Sequence, residues 1–350
     1  MHSTLSQALS LHFRRPPHLV SLFAALLMAL ISSRTVNLTL LALELPGNAK
    51  IASKYRRLQR LFESFVWRGD EVGRLVLSLL PLERYTVLLD RTNWKWGRQN
   101  INFLTFAVLY QGKAIPVCWT LLEHGGCSDQ ATRSRLLTRL IALIPVGRIT
   151  CVLADREFIG LEWFDDLRNK QIKRTIRIKE NTRVGGMPAR AYLGNLKHGQ
   201  TRALYRKQIV FGSMMQMVAT RSLAGELVIL ATDLDVRRAL SEYAKRWAIE
   251  TLYQNLKSRG FDLESTHLTQ TYRLSTLFGL LTLAYLWALL VGEFKQGLEP
   301  LRQKAHGRME QSTFRYGLDE LAQTLKHARA DWDWYVHLFL APHRSTRLQL

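Results

Sequence analysis

The spacing of apolar and polar positions changes period twice along this chain. Residues 1–80 follow a helical period. An apolar run at 19–31 (LVSLFAALLMALI) predicts a buried helix, and 36–45 predicts a second that Pro46-Gly47-Asn48 ends. Residues 49–65 resume the helical period, with cations and apolar side chains at three- and four-residue steps. Arg14-Arg15-Pro16-Pro17 ahead of the first run resembles the charged start of a signal peptide, but no clear A-x-A site follows, which favours the buried helix. Beyond Pro81 the pattern turns to strands. Short β-rich runs at 85–90 (YTVLLD), 101–110 and 114–122, with Gln111-Gly112-Lys113 as a turn, predict an antiparallel meander. Residues 129–144 predict an amphipathic helix with Ser128 or Asp129 as N-cap. The nearly all-apolar 149–154 (ITCVLA) predicts a strand buried on both faces. A short helix at 160–170 and a fifth strand at 174–179 follow. Gly and Pro then punctuate 180–225 into β-prone pieces, among them 207–211 and 215–220, and 226–232 returns to a core strand. Helices are predicted at 236–259, 271–295 and 314–330. The stretch 274–292 holds no charge and is long enough to cross a membrane. As a single such run in a basic chain, with Ser, Thr and Gly inside it, it reads better as a central helix buried on all sides.

Three strands, helix, strand, helix, strand and a later helix is the element order of an RNase H-like domain. The expected fold class is α/β: an RNase H-like mixed five-stranded sheet with flanking helices, a mainly β insertion before the long helix, and a helical N-terminal region. The expected segments are a helical N-terminal region (1–80), the core's first part (81–179), the β-rich insertion (180–225), the core's second part (226–295) and a C-terminal helical region (296–350).

Composition narrows the function. With 350 residues, 47% of them hydrophobic and 22% charged, the chain has the make-up of a globular protein. Lys and Arg number 49 against 28 Asp and Glu, a net charge of +21 that implies a polyanionic partner, nucleic acid first. The three cysteines (Cys118, Cys127, Cys151) form no CxxC pair, which excludes a disulfide framework, argues against a zinc finger, and fits a reducing cytoplasm.

Against that basic background, two acids stand at telling places. Asp90 ends the first sheet strand and Asp155 ends the fourth, each after an apolar run. In an RNase H-like sheet these strands are neighbours, so the carboxylates face each other and repel unless a cation lies between them. Oxygen donors without thiolates favour Mg²⁺ or Mn²⁺ over zinc. Taken singly, each Asp reads as well as a loop cap. The long helix supplies a third acid. At about 100° per residue, Arg246, Glu250 and Lys257 all fall within about 60° of Tyr243, on one stripe bordered by Trp247. Without the aspartates, Arg246 and Glu250 are simply an i, i+4 surface pair.

Tyr243-x2-Arg246-x3-Glu250-x6-Lys257 resembles the YREK signature of bacterial DDE transposases of the insertion-sequence-4 group, complete in residue type and spacing. The segments LLDRTNWKWG around Asp90 and LADREFIG around Asp155 resemble that group's first and second catalytic regions. The resemblance spans roughly residues 54–267. It implies that Asp90, Asp155 and Glu250 are catalytic and bind two Mg²⁺ ions, with Mn²⁺ able to substitute. It implies that Tyr243, Arg246 and Lys257 contact DNA near the cleaved end. It implies cleavage at insertion-sequence ends and strand transfer into target DNA by cut and paste. The partners are then double-stranded DNA, as terminal inverted repeats and as target, and a second copy of the chain on that DNA, with no membrane. The implied location is the bacterial cytoplasm, at the nucleoid. Some members excise through a DNA hairpin and stack a flipped base on an aromatic of the insertion. This chain has no Trp between Trp163 and Trp247, so Tyr192, Tyr205 or Phe211 would have to serve.

Other positions are candidates of lower rank. Trp247 borders the motif. Asn93, Trp94, Lys95 and Trp96 read as an aromatic-basic turn able to grip a strand end or to pack on the sheet. Tyr55, Arg56 and Arg57 belong to the cationic helix, which is either a solvated face or a groove-binding element. Lys173, Arg174, Arg177 and Lys179 alternate as on a strand edge. Glu157 reads as the partner of a nearby Arg, and His267 as a local contact. The competing functions are an RNase H-like nuclease without strand transfer, and a catalytically idle DNA-binding protein derived from a transposase.

Overall fold

The computed structural model describes residues 1–122, 124–305 and 307–340, and the chain in it divides into two compact units. A helical unit takes Met1–Pro81, Trp94–Gln99 and the chain from Tyr253 onward; a sheet unit takes Leu82–Asn93 and Asn100–Leu252. Residues 253–295, grouped with the core by sequence, therefore pack in the helical unit.

The helical unit opens with α1 (His2–Ser10), α2 (Pro17–Ser33), α3 (Leu38–Glu44), α4 (Ile51–Ser64) and α5 (Glu71–Leu79). Pro17 starts α2, where its missing N–H costs nothing. Asn37 caps α3 by accepting from the Thr39 and Leu40 amides. Phe13, Phe23, Phe65 and Trp67 meet in one aromatic cluster.

The sheet unit is built on β1 (Tyr85–Trp96), β2 (Gln99–Tyr110), β3 (Lys113–Leu121), α6 (Gln130–Leu143), β4 (Ile149–Ala154), α7 (Leu161–Asn169) and β5 (Arg174–Ile178). There follow β6 (Arg183–Val184), β7 (Met187–Pro188), α8 (Ala189–Leu193), β8 (Thr201–Val210), β9 (Ser213–Arg221) and β10 (Leu227–Thr232). Two helices, α9 (Val236–Ala244) and α10 (Trp247–Leu256), end it; α10 runs on into the helical unit. The strands form one mixed sheet in the order β3-β2-β1-β4-β5-β10-β9-β8-β6-β7. β1, β4 and β5 are parallel neighbours, whereas β10 runs antiparallel to β5.

Local chemistry explains the turns. Gln111 and Gly112 both have positive φ, as do Phe211 and Gly212, which is the type I′ requirement for two-residue hairpins joining β2 to β3 and β8 to β9. Pro116 is tolerated because β3 is an edge strand, and a bulge beside it at Val117 shifts the register between Phe106 and Ala107. Asp129 is the N-cap of α6, accepting from the Thr132 amide at 2.6 Å.

Four expectations change. The sheet has ten strands, not five, because the β8–β9 hairpin of the insertion pairs onto β10 and continues the same sheet. β5 is an internal strand, so Arg174 is buried rather than on an edge. Residues 93–96 are strand, and the turn comes after them at Gly97. The helix predicted at 236–259 breaks in two at Lys245-Arg246.

The last helices complete the helical unit: α11 (Thr271–Leu298), α12 (Thr313–His327) and α13 (Trp332–Leu340). α11 packs against α2, α4, α5, α12 and α13, and its residues 276–292 are all buried. A Cβ on Gly317 would lie 1.8 Å from the Ala288 carbonyl oxygen, and one on Gly292 would lie 2.0 Å from that of Thr313. These two glycines let α11 and α12 approach backbone to backbone. Trp67 Nε1 donates to the Thr276 carbonyl at 3.2 Å and Trp287 Nε1 to that of Tyr335 at 2.9 Å, so these two buried indoles are satisfied.

Candidate active site

The site grows from two neighbouring strands and a helix break; β1 does not end at Asp90, as its apolar run suggests, but continues to Trp96. β1 and β4 pair in parallel with Leu89 opposite Ala154. The next residue on each chain segment is an aspartate, so Asp90, within β1, and Asp155, just past the end of β4, stand side by side in the middle of the sheet. α9 lies against β5, β8, β9 and β10. Val236, Ala239 and the Tyr243 ring pack there on Val218 and Leu230. This anchors Tyr243, whose hydroxyl donates to Asp155 Oδ1 at 3.2 Å.

Between α9 and α10 the chain tightens. The amides of Lys245, Arg246, Ala248 and Ile249 each donate to the carbonyl three residues back, at 2.9–3.1 Å. This is 3₁₀ geometry inserted in a helical run. It sets Arg246, only 9% exposed as a side chain, between two acids. Nη1 lies 3.3 Å from Asp90 Oδ2, and Nη2 donates to Glu250 Oε1 at 2.6 Å. The guanidinium carbon also sits 5.5 Å from the Tyr243 ring centroid. Among the described residues no acceptor meets the buried Arg246 Nε.

Three acids thus surround one turn of backbone: Asp90 and Glu250 through Arg246, and Asp155 through Tyr243. Burial raises Asp90 from 3.8 to about 6; the Arg91 amide (donating at 2.8 Å) and Arg246 pull it down, while Glu250 and Asp155 push it up. Burial works against the Arg246 charge, but Tyr243, Asp90, Glu250 and Asp155 outweigh it and hold that pKa above its usual value. Burial likewise raises Tyr243, which keeps its phenol protonated as a donor. Arg91 is committed elsewhere. It grips Glu157 with two hydrogen bonds at 2.8 and 2.9 Å, the Arg partner expected for that Glu. Sequence reading passed over Arg91; its position directly after Asp90 was the available signal.

The donor set suits a hard divalent ion chemically: carboxylate oxygens only, with Asp90 raised partly by its acidic neighbours. Among the described residues, no three His, Cys, Asp or Glu side chains are grouped closely enough to hold one ion, because Arg246 and Tyr243 stand among the acids.

The remaining candidates lie as follows. Trp247 opens α10 and is 63% exposed. Asn93 is exposed on β1 in the sheet unit. Lys257 belongs to the helical unit, where Nζ pairs with Glu264 Oε1 at 2.7 Å and lies 5.5 Å from the Trp94 ring. Lys95 is exposed in the same unit, as are Arg56 and Arg57 on α4, with Tyr55 half-buried beside them. His267 stacks on Trp96, ring centroids 4.4 Å apart.

The family model described as a transposase DDE domain matches residues 81–287, more than half of the chain and all three acids. The chain belongs to the transposase DDE domain family. No curated protein matches it. Among solved structures it is similar to the chain of a piggyBac transposase synaptic complex with hairpin DNA, determined by cryo-EM. The identity is 12% and the TM-score 0.42, over 75% of this chain and 55% of that one. The chain therefore spans little more than half the length of that transposase. Members of the transposase DDE family typically use divalent metal ions.

Proposed function

We propose that this chain is a DNA transposase whose catalytic acids are Asp90, Asp155 and Glu250, acting with two Mg²⁺ ions for which Mn²⁺ can substitute. The observation that supports this best is a local excess of negative charge, three acids around one guanidinium, inside a chain of net charge +21. Carboxylates gathered in a basic protein suit a cation, and the family match covers all three.

When bound, the ions activate the attacking hydroxyl and neutralise the leaving oxygen of an in-line phosphoryl displacement. The protein's own groups hold the phosphodiester. Arg246 is assigned to positioning the phosphodiester, from its place between Asp90 and Glu250. Tyr243 keeps Asp155 oriented. Lys257 and Trp247 are assigned to the DNA near the cleaved end. Arg56 and Arg57, exposed on α4, are assigned to DNA phosphates. The finer reading includes an RNase H-like core, the insertion-sequence-4 group, cleavage at inverted repeats, strand transfer by cut and paste, and a homodimer on DNA. It places the protein in the bacterial cytoplasm.

The test is a supercoiled plasmid carrying the DNA that flanks the gene, incubated with protein and Mg²⁺. The expected products are cleavage at the element's ends and joined molecules, both abolished by EDTA. Nicks without joining would reduce the reading to a nuclease. No cleavage in either Mg²⁺ or Mn²⁺ would contradict it.

A further inference from the structure

The helical unit contains a cleft of about 390 Å³ that the proposed chemistry does not use. One wall comes from α4, through Tyr55, Arg56 and Gln59; the other comes from His267 and Arg273 near the start of α11. The volume falls within the range of about 300–1,000 Å³ typical of sites for small planar ligands.

Its lining is specific in kind. His267 is exposed, and its ring is stacked on Trp96 at an interplanar angle of 28°, which makes a two-ring platform. The loop carrying His267 is held to the tip of the Trp96 hairpin, where Gln99 Nε2 donates to the Thr269 carbonyl at 2.9 Å. Two cations face the space. Arg56 Nη1 is steadied by Gln59 Oε1 at 3.0 Å, and Arg273 Nε by the Tyr272 hydroxyl at 3.0 Å. Asn37 spends its side-chain oxygen capping α3, so its NH₂ group is what it offers at the rim. Glu63 is the one acid among the lining residues. An aromatic platform flanked by guanidinium groups, with an amide donor nearby, suits a planar heteroaromatic ring attached to an anion.

We infer that this cleft binds an unpaired nucleotide of a DNA strand, its base against His267 and its phosphate between Arg56 and Arg273. Every base has a π face, so stacking of this kind tolerates sequence and discriminates unpaired from paired nucleotides. A base inside a duplex cannot offer its face, and a blunt duplex cannot fill the cleft. The inference rests on the DNA reading above.

The experiment compares two fluorescein-labelled DNAs by anisotropy: a blunt duplex, and the same duplex with a short single-stranded tail. 2-Aminopurine in the tail reports stacking by quenching. Wild-type protein is expected to bind the tailed DNA about tenfold more tightly than the blunt one, with quenching. His267→Ala and Arg56→Ala should each bring that ratio close to one and remove the quenching. Arg56 is exposed, so its substitution carries the test even if the His267 loop is perturbed. A wild-type ratio of one, or a ratio unchanged in both variants, overturns the cleft assignment. Blunt-duplex binding and Mg²⁺-dependent cleavage in the same samples would then leave the transposase reading standing. Failure to bind either DNA would remove both.

Discussion

Arg174 and Arg246 are two of the arginines buried in the sheet unit, and they are buried for different reasons. Arg174, on β5, pairs with one acid, Asp233, while Asp165 and Arg168 act on it more weakly and in opposite directions. Its Nε lies 3.3 Å from Asp233 Oδ2 without hydrogen-bond alignment, Nη1 donates to the Phe164 carbonyl, and the guanidinium lies 4.7 Å from the Phe164 ring. Burial lowers the Arg174 pKa and raises that of Asp233, each group drawn back by the other. One cation and one anion share one desolvation cost, which is the arrangement of a structural pair. Arg246 meets two acids directly and a third through Tyr243, and its pKa moves the other way, up. Burial of a charge therefore does not mark the site. What marks it is imbalance: carboxylates outnumber the cation that holds them, so the region is built to receive further positive charge.

The largest effect expected from this contrast is on folding. Arg174→Ala strands Asp233 beside a buried strand and should cost about 3–5 kcal/mol, read by urea denaturation. A loss below about 1 kcal/mol would show that the pair is not structural.

The second prediction concerns Asp90, whose folded pKa of about 6 exceeds 3.8. The folded state holds that proton more tightly, so the contribution of Asp90 to stability is full below about pH 4 and is lost as pH rises through about 6. In chelator, Asp90→Asn should stabilise the protein at pH 7–8 by on the order of 2 kcal/mol, an advantage that fades towards about pH 4. A pH-independent difference would contradict the imbalance. Third, Arg246→Gln removes the competing cation and should raise Mn²⁺ affinity by about tenfold, measured by electron paramagnetic resonance without DNA. Unchanged affinity would mean that the guanidinium does not share the acids with the ion. The smallest effect is at Trp247, which is 63% exposed. Trp247→Ala should change stability by less than about 0.5 kcal/mol; a larger loss in denaturation would place it in the packing instead.

Much of the site was legible because its signals are local. Apolar runs ahead of Asp90 and Asp155 marked β1 and β4 as buried strands, whose pairing sets the two acids side by side; that β1 continues past Asp90 to Trp96 was not legible. Helical spacing put Tyr243, Arg246 and Glu250 on one stripe. The 3₁₀ turn at Lys245-Arg246 was not legible, since a fixed angle per residue presumes an unbroken helix. Nor was the ten-stranded sheet. Whether the β8–β9 hairpin forms its own body or joins β10 depends on long-range register, and local periodicity carries no trace of that. Arg174 was misread for the same reason: a cation on an alternating strand looks like edge protection until its neighbours on both sides are known. A strand expected to stop at Asp90 puts residues 93–96 in the turn after it, yet Asn93-Trp94-Lys95-Trp96 keeps a polar-aromatic alternation and β1 continues through it.

The most direct test of the three-acid centre is Glu250→Gln, which removes one negative charge and keeps the shape. Several kcal/mol of transition-state stabilisation depend on the ion these acids are proposed to hold. At 1.36 kcal/mol per tenfold, Mg²⁺-dependent cleavage of plasmid DNA should fall by about a thousandfold, with duplex binding retained. Cleavage at the wild-type rate in that variant would contradict the account.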